Sequence, residues 1–180
     1  MLRFSSSRRA ERDAAARLYA AALAASRRPG LYLGYGVPDT PQGRFEMLTL
    51  HLFPVLHRLM HKPGDDPALA RRISESFVRD MDGAFREMGL GDLSVPKRMR
   101  TLYGAFAGRI AAYQRAIGGG DGELAAAIAR NVFPDRPEER RAAALADYIA
   151  EAVAAVQAAD IAAIRRGETP FPDLSQTQGE

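Results

Sequence analysis

The residues best suited to chemistry are few, and they cluster. All three histidines, His51, His57 and His61, fall within one short stretch. His57 and His61 are four apart, so on a helix they share a face and could grip a metal or a haem iron. A third ligand is not obvious, and no Glu follows the first His, so this is not a helical zinc-protease motif. Ser5–Ser7 lies at the chain start with no G-x-S-x-G elbow around it. Gly34-Tyr35-Gly36 and the run Gly118–Gly122 follow no strand pattern and carry no P-loop lysine, which argues against nucleotide binding. Asp80 and Asp82 are two carboxylates available for acid–base work. Asp82 and Arg86, however, stand four apart in acid-then-base order, the spacing of an intrahelical ion pair. Lys97, Arg98 and Arg100 open what reads as a helix, where cations oppose the helix dipole. Salt bridges to the preceding helix, or an acidic partner, would account for them. No catalytic residue, metal ligand set or cofactor is assigned on these grounds, and the expectation is a protein that is not an enzyme.

The elements carrying these residues read as helices throughout. A first helix spans about Ser7 to Ser26 and ends at Arg27-Arg28-Pro29-Gly30, cations and helix breakers in the expected order. LYLGYGVPDTPQG, from Leu31 to Gly43, is too rich in Gly and Pro for a long helix and too apolar for a free linker. It is expected as an ordered loop pressed on the helices. A second helix runs from Pro41 or Gln42 to His61, with Asp39 or Thr40 as cap. Its stripe of Phe45, Leu48, Leu52, Val55, Leu56 and Leu59 recurs at three and four, and Pro54 is expected to kink it. A third, from about Asp66 to Met88, steps Leu69, Ile73, Phe77, Met81 and Phe85 by four. A fourth, from about Pro96 to Ile117, carries Met99, Leu102, Tyr103, Phe106, Ile110, Tyr113 and Ile117. A short helix at Leu124–Val132 and a long Ala-rich one from about Glu138 to Arg166 complete the chain. This is an all-α pattern, an irregular bundle of about six helices. It is read as one domain over residues 1–168, with a disordered tail at 169–180.

Composition bounds the function. The chain has 180 residues, 47% hydrophobic and 26% charged, enough to bury a core without staples. It contains no Cys, which excludes disulfides, thiolate metal sites and covalent haem attachment through thioether bonds. No apolar run approaches the ~20 residues of a membrane span; the longest, near Met47–Leu59 and Leu145–Ile164, are interrupted by polar and charged residues. Met1–Ala10 carries three Arg, three Ser and no acid, which resembles a transit peptide until Glu11 and Asp13 interrupt it. The net charge of +3 is uneven. Through Gly118 there are 19 Lys+Arg against 11 Asp+Glu, and from Gly119 onward 6 against 11. The basic region could face an acidic partner, anionic lipid or RNA, and the acidic one a different partner.

Several blocks in order carry a family resemblance. PDTPQGRFEMLTLHLFPVLHRL, from Pro38 to Leu59, FVRDMDGAFREMGLGDLSVPKRM, from Phe77 to Met99, and GRIAAYQRAI with its Gly108-Arg109 pair and Tyr113 resemble the ubiquinol–cytochrome c chaperone family. The resemblance covers about Leu18 to Ile117 and looks like that of a bacterial member. It implies an assembly factor for respiratory complex III that binds newly made cytochrome b. It also implies partners known in mitochondria, a small helical co-chaperone and the ribosome. The positions that match the family and are therefore expected to bind partners are Arg44, Asp80, Asp82, Arg86, Asp92, Lys97, Arg109 and Tyr113. The expected location is the cytoplasm, with peripheral contact at the inner face of the membrane, or the mitochondrial matrix in a eukaryote. The expected state alone is a monomer, with no DNA partner.

Two other readings stay open on the residues: a basic helical nucleic-acid binder, and a metal- or haem-binding protein through His57 and His61. A groove lined by Phe, Met, Leu and Tyr would suit an apolar client helix, and six Met are present to repack around it. Finally, Arg109 falls beside the apolar stripe of its helix, between Phe106 and Ile110. An unpartnered buried charge is costly, so Asp80 or Asp82 on the antiparallel third helix is expected as its partner.

Overall fold

The computed structural model describes residues 2–61, 64–87, 89, 94–135 and 139–174, with side chains described from residue 9 onward except that of Glu139. Those residues form eight helices and no strand. They are α1 (Leu2–Ser26), α2 (Pro29–Leu33), α3 (Pro41–Met60), α4 (Pro67–Glu87), α5 (Val95–Ile117), α6 (Glu123–Val132), α7 (Glu139–Ala158) and α8 (Ile161–Arg165). The all-α reading stands. Two short helices raise the count from six. The Gly/Pro-rich segment begins with the single turn of α2, opened by Pro29 in its first turn. The long C-terminal helix breaks at Asp160, whose carboxylate accepts from the Ala162 amide at 3.1 Å and caps α8.

α3 is the axis of the bundle. Thr40 caps it, its hydroxyl accepting from the Gly43 amide at 3.1 Å, with Pro41 in the first turn. A Cβ on Gly43 would stand 1.9 Å from the Pro38 carbonyl oxygen, so only glycine lets the chain turn this tightly into the helix. Nearly every α3 residue from Phe45 to Leu59 is buried, including Glu46, Thr49, His51, His57 and Arg58. Helices α1, α4, α5, α6 and α7 surround it.

α4 is capped by Asp66, which accepts from the Leu69 amide at 3.1 Å. It runs antiparallel to α5. Phe77 stacks on Phe106 with ring centroids 4.3 Å apart, Ala70 shares a groove with Ile110, and Phe85 shares one with Leu102. α1 is tied to α4 by Arg72 and Glu11 at 2.9 Å and by the Tyr19 hydroxyl, which donates to Asp80 at 2.6 Å. Arg17 donates to the Arg166 carbonyl at 2.8 Å and holds α8 against α1. Residues 169–174, read from sequence as the start of the tail, lie back along the bundle. The Phe171 ring sits 5.7 Å from that of His51, Arg28 donates to the Pro172 carbonyl, and Leu174 rests against Gly30.

Candidate functional site

Of the sequence-predicted residues, Lys97 and Arg109 line one groove, and the others do not converge on it. Arg44 lies exposed at the start of α3 and donates to Asp39 at 2.7 Å, which holds that carboxyl below its ordinary range. Asp82 and Arg86 pair along α4 at 2.8 Å, as their spacing predicts. Asp80 faces α1, not α5; burial, with Asp80 adding to it, pushes the Tyr19 phenol up. Tyr113 is fully buried, its ring 5.9 Å from Phe53 and its hydroxyl near Asn131, so it presents no surface to a partner. Asp92 lies outside the described residues. Lys97 stands exposed at the start of α5.

Arg109 corrects an expectation. Its partner is neither Asp80 nor Asp82 but Glu46 on α3. Nε stands 3.2 Å from each carboxylate oxygen and Nη2 2.9 Å from one of them. The Glu46 side chain has no exposed surface and that of Arg109 is 27% exposed. Gln42 also donates to Glu46, at 2.6 Å. Burial raises the Glu46 carboxyl above its ordinary range, while Arg109 and Gln42 pull it back down. The expectation failed because Asp80 is engaged with α1 and Asp82 with its own helix, leaving neither toward α5. Glu46 went unread because it sits in a mostly apolar run, FEMLTLHLF. An acid there was itself the signal that a cation must approach.

The histidines divide into two roles. His51 is wholly buried. Its Nδ1 is 2.7 Å from the Met47 carbonyl and so carries the proton. Its Nε2 accepts from the Tyr148 hydroxyl at 3.0 Å. Burial pushes its pKa down to about 4. His57 and His61 stack with centroids 5.5 Å apart, and His57 Nδ1 donates to the Gln114 side-chain oxygen at 2.6 Å. Among the described residues no group of three His, Asp or Glu is arranged to hold a metal ion.

What the surface offers instead is grooves along α5. One, of about 460 Å³, lies between the end of α3, the start of α4 and the middle of α5. Leu56, Ala70, Phe106, Ala107, Ile110 and Ala111 line it. Its rim carries Met60 and Tyr103, 40% and 47% exposed. These are two of the three large apolar side chains exposed among the described residues. His61 and Gln114 reach the same groove, so the histidine pair edges an apolar trough. A second groove, of about 630 Å³, opens beside Arg109 between the starts of α3 and α5 and the end of α4.

The fold is a helical scaffold with troughs along α5, and the comparisons give its family. The chain belongs to the ubiquinol-cytochrome C chaperone family, whose sequence model matches residues 34–171. Among solved structures it is similar to the Cbp3 homolog from Brucella abortus, with 37% sequence identity over 95% of each chain and a TM-score of 0.84. No curated protein matches it. The family match extends the resemblance beyond Ile117, through α6, α7 and α8.

Proposed function

We propose that this protein is a non-enzymatic assembly factor for respiratory complex III that shields newly made cytochrome b, and that the apolar trough beside Met60 and Tyr103 receives one of the client's hydrophobic helices. Family membership supports the complex III role. The observation that carries the client site is the coincidence of two exposed large apolar side chains with one apolar trough. An amphipathic or apolar helix laid into a groove is a recurrent recognition mode. Met60 supplies an adaptable edge and Tyr103 an amphipathic one. The small side chains of Ala70, Ala107 and Ala111 let a partner backbone come close.

In this reading the protein meets its client at the cytoplasmic face of the membrane, touching it only peripherally, or in the matrix of a mitochondrion. Among the described residues no helix is long and apolar enough to cross a membrane. The test is crosslinking in native membranes, capture of this chain and mass spectrometry of what is captured. Recovery of cytochrome b is the expected result; its absence from a capture that retains other membrane proteins refutes the assignment.

A further inference from the structure

Lys97 and Arg98 stand on the rim of the larger groove beside Arg109, and neither makes an ion pair or a side-chain hydrogen bond among the described residues. The salt bridges to the preceding helix that would have explained these cations are not formed there. Both sit in the first turn of a helix that has no acidic residue in that turn, where cations oppose the dipole. Arg71, on the rim of the apolar trough, is answered by Glu75 at 3.5 Å. Between these two cations and Arg109 the apolar lining of the groove is Phe45, Phe85, Leu102 and Ala105, with Gln42 and Thr101 beside it. Arg109 itself is committed to Glu46 and closes one end.

From this we infer a second docking site, for an acidic amphipathic helix of a protein partner, its apolar side on Leu102 and Phe85 and its carboxylates on Lys97 and Arg98. The charge complementarity selects acids over bases. Concavity selects a helix over a lipid bilayer, since a flat membrane cannot reach a recessed floor. Phe45 is buried against Phe77, rings 6.3 Å apart, so Phe85 is left as the accessible ring in this groove, and one ring is not a platform on which successive nucleic-acid bases stack. The site is separate from the client trough, on the other flank of α5. It does not depend on which protein the client is.

The test uses the full chain and a fluorescein-labelled synthetic helix with Leu on one face and Glu along its borders, read by anisotropy. Controls are the same helix with Lys for Glu, unpatterned poly-glutamate, vesicles of anionic phospholipid and single-stranded RNA. The variant is Lys97→Glu with Arg98→Glu. Both positions are exposed, and acids in a first helical turn do not cost the helix stability. The acidic helix should bind wild type in a salt-sensitive way. The double variant should weaken it by about tenfold or more, mainly through slower association, with an unchanged circular dichroism spectrum. Equal binding by the double variant overturns the proposal. Equal binding of poly-glutamate removes the groove from it. Stronger binding of vesicles or RNA than of the helix assigns the cations to a different ligand and overturns it as well.

Discussion

Placing a carboxylate with no exposed surface beside Phe45 and Met47 costs free energy that only a close cation and further hydrogen bonds offset. Arg109 and Gln42 supply both to Glu46. Arg109→Ala should therefore lower stability at pH 7 by about 3 kcal/mol, at the low end for a buried pair because Arg109 keeps a wet side. The pH dependence is a stronger test. The folded carboxyl is raised, so its contribution is favourable in acid and is lost as pH rises through the raised value. Without Arg109 it rises further. The deficit of the variant should be small near pH 4 and grow toward neutrality. Arg115→Ala, at an exposed position, should change little at any pH. Equal urea midpoints for Arg109→Ala and wild type at pH 7 would show the pair to be inconsequential. His51 has the opposite sign. Its folded pKa, about 4, lies below the ordinary value of 6.5. The stability it permits is complete above pH 6.5 and is lost as pH falls toward 4, to a total of about 3 kcal/mol. His51→Leu should flatten that acid slope while costing some stability at pH 7 through the orphaned Tyr148 hydroxyl. An unaltered slope between pH 7 and 4.5 would mean His51 opens to water.

At the scale of elements, the strap formed by residues 169–174 covers what α3 and α7 leave open. Phe171 rests on the His51 ring, Leu174 on Gly30, and Arg28 is bound to the Pro172 carbonyl. Ending the chain after Glu168 should lower the melting temperature and let water reach His51, moving its pKa from about 4 up toward 6.5. Proton NMR titration of the imidazole reads this directly, and an unmoved resonance would show the strap to be superficial. Sequence alone concealed the strap because Pro170 and Pro172 deny it a helix and its anchors are only two apolar residues. A period of three or four can reveal an amphipathic helix but not an extended segment held by isolated side chains. The same limit applies at α3. Its period-marked stripe predicted one buried face, whereas burial reaches all around, because five helices enclose it. The six longer helices were legible, but the single turn of α2 was not, because Pro29 and Gly30 read as breakers there. The break at Asp160 was not legible either: the Ala-rich composition on both sides favours helix, and only the Asp cap marks the interruption. Partner choice across helices was least legible. Arg109 signalled that it needed an acid, but periodicity assigns no azimuth between helices, and Glu46 on α3 was nearer than either aspartate on α4.

The whole molecule arranges two troughs of different chemistry along one helix. α5 turns Phe106, Ala107, Ile110 and Ala111 toward the apolar trough, and Leu102, Ala105 and Arg109 toward the basic one. Its inner face, through Tyr113 and Phe106, is fixed in the core, and the Glu46–Arg109 pair ties it to α3. A rigid helix so held can keep an apolar client and a charged partner apart while carrying both, each with its own recognition energy. The apolar trough can be disabled without touching the core. Ala107 is exposed on its floor, so Ala107→Asp places a carboxylate where an apolar helix would lie and leaves the bundle packed. Its melting curve should stay within about 0.5 kcal/mol of wild type, as for surface changes generally. A charge that must be desolvated by an apolar client is costly, so cytochrome b capture should fall by more than tenfold. Binding of the acidic model helix on the other flank should be unchanged. A strain whose only copy carries Ala107→Asp should assemble less complex III, measured by native electrophoresis against unaltered transcript levels. Stable Ala107→Asp protein with normal client capture would place the client elsewhere. Loss of both ligands together would mean that the two troughs are not separate, because the substitution then acts through the position of α5.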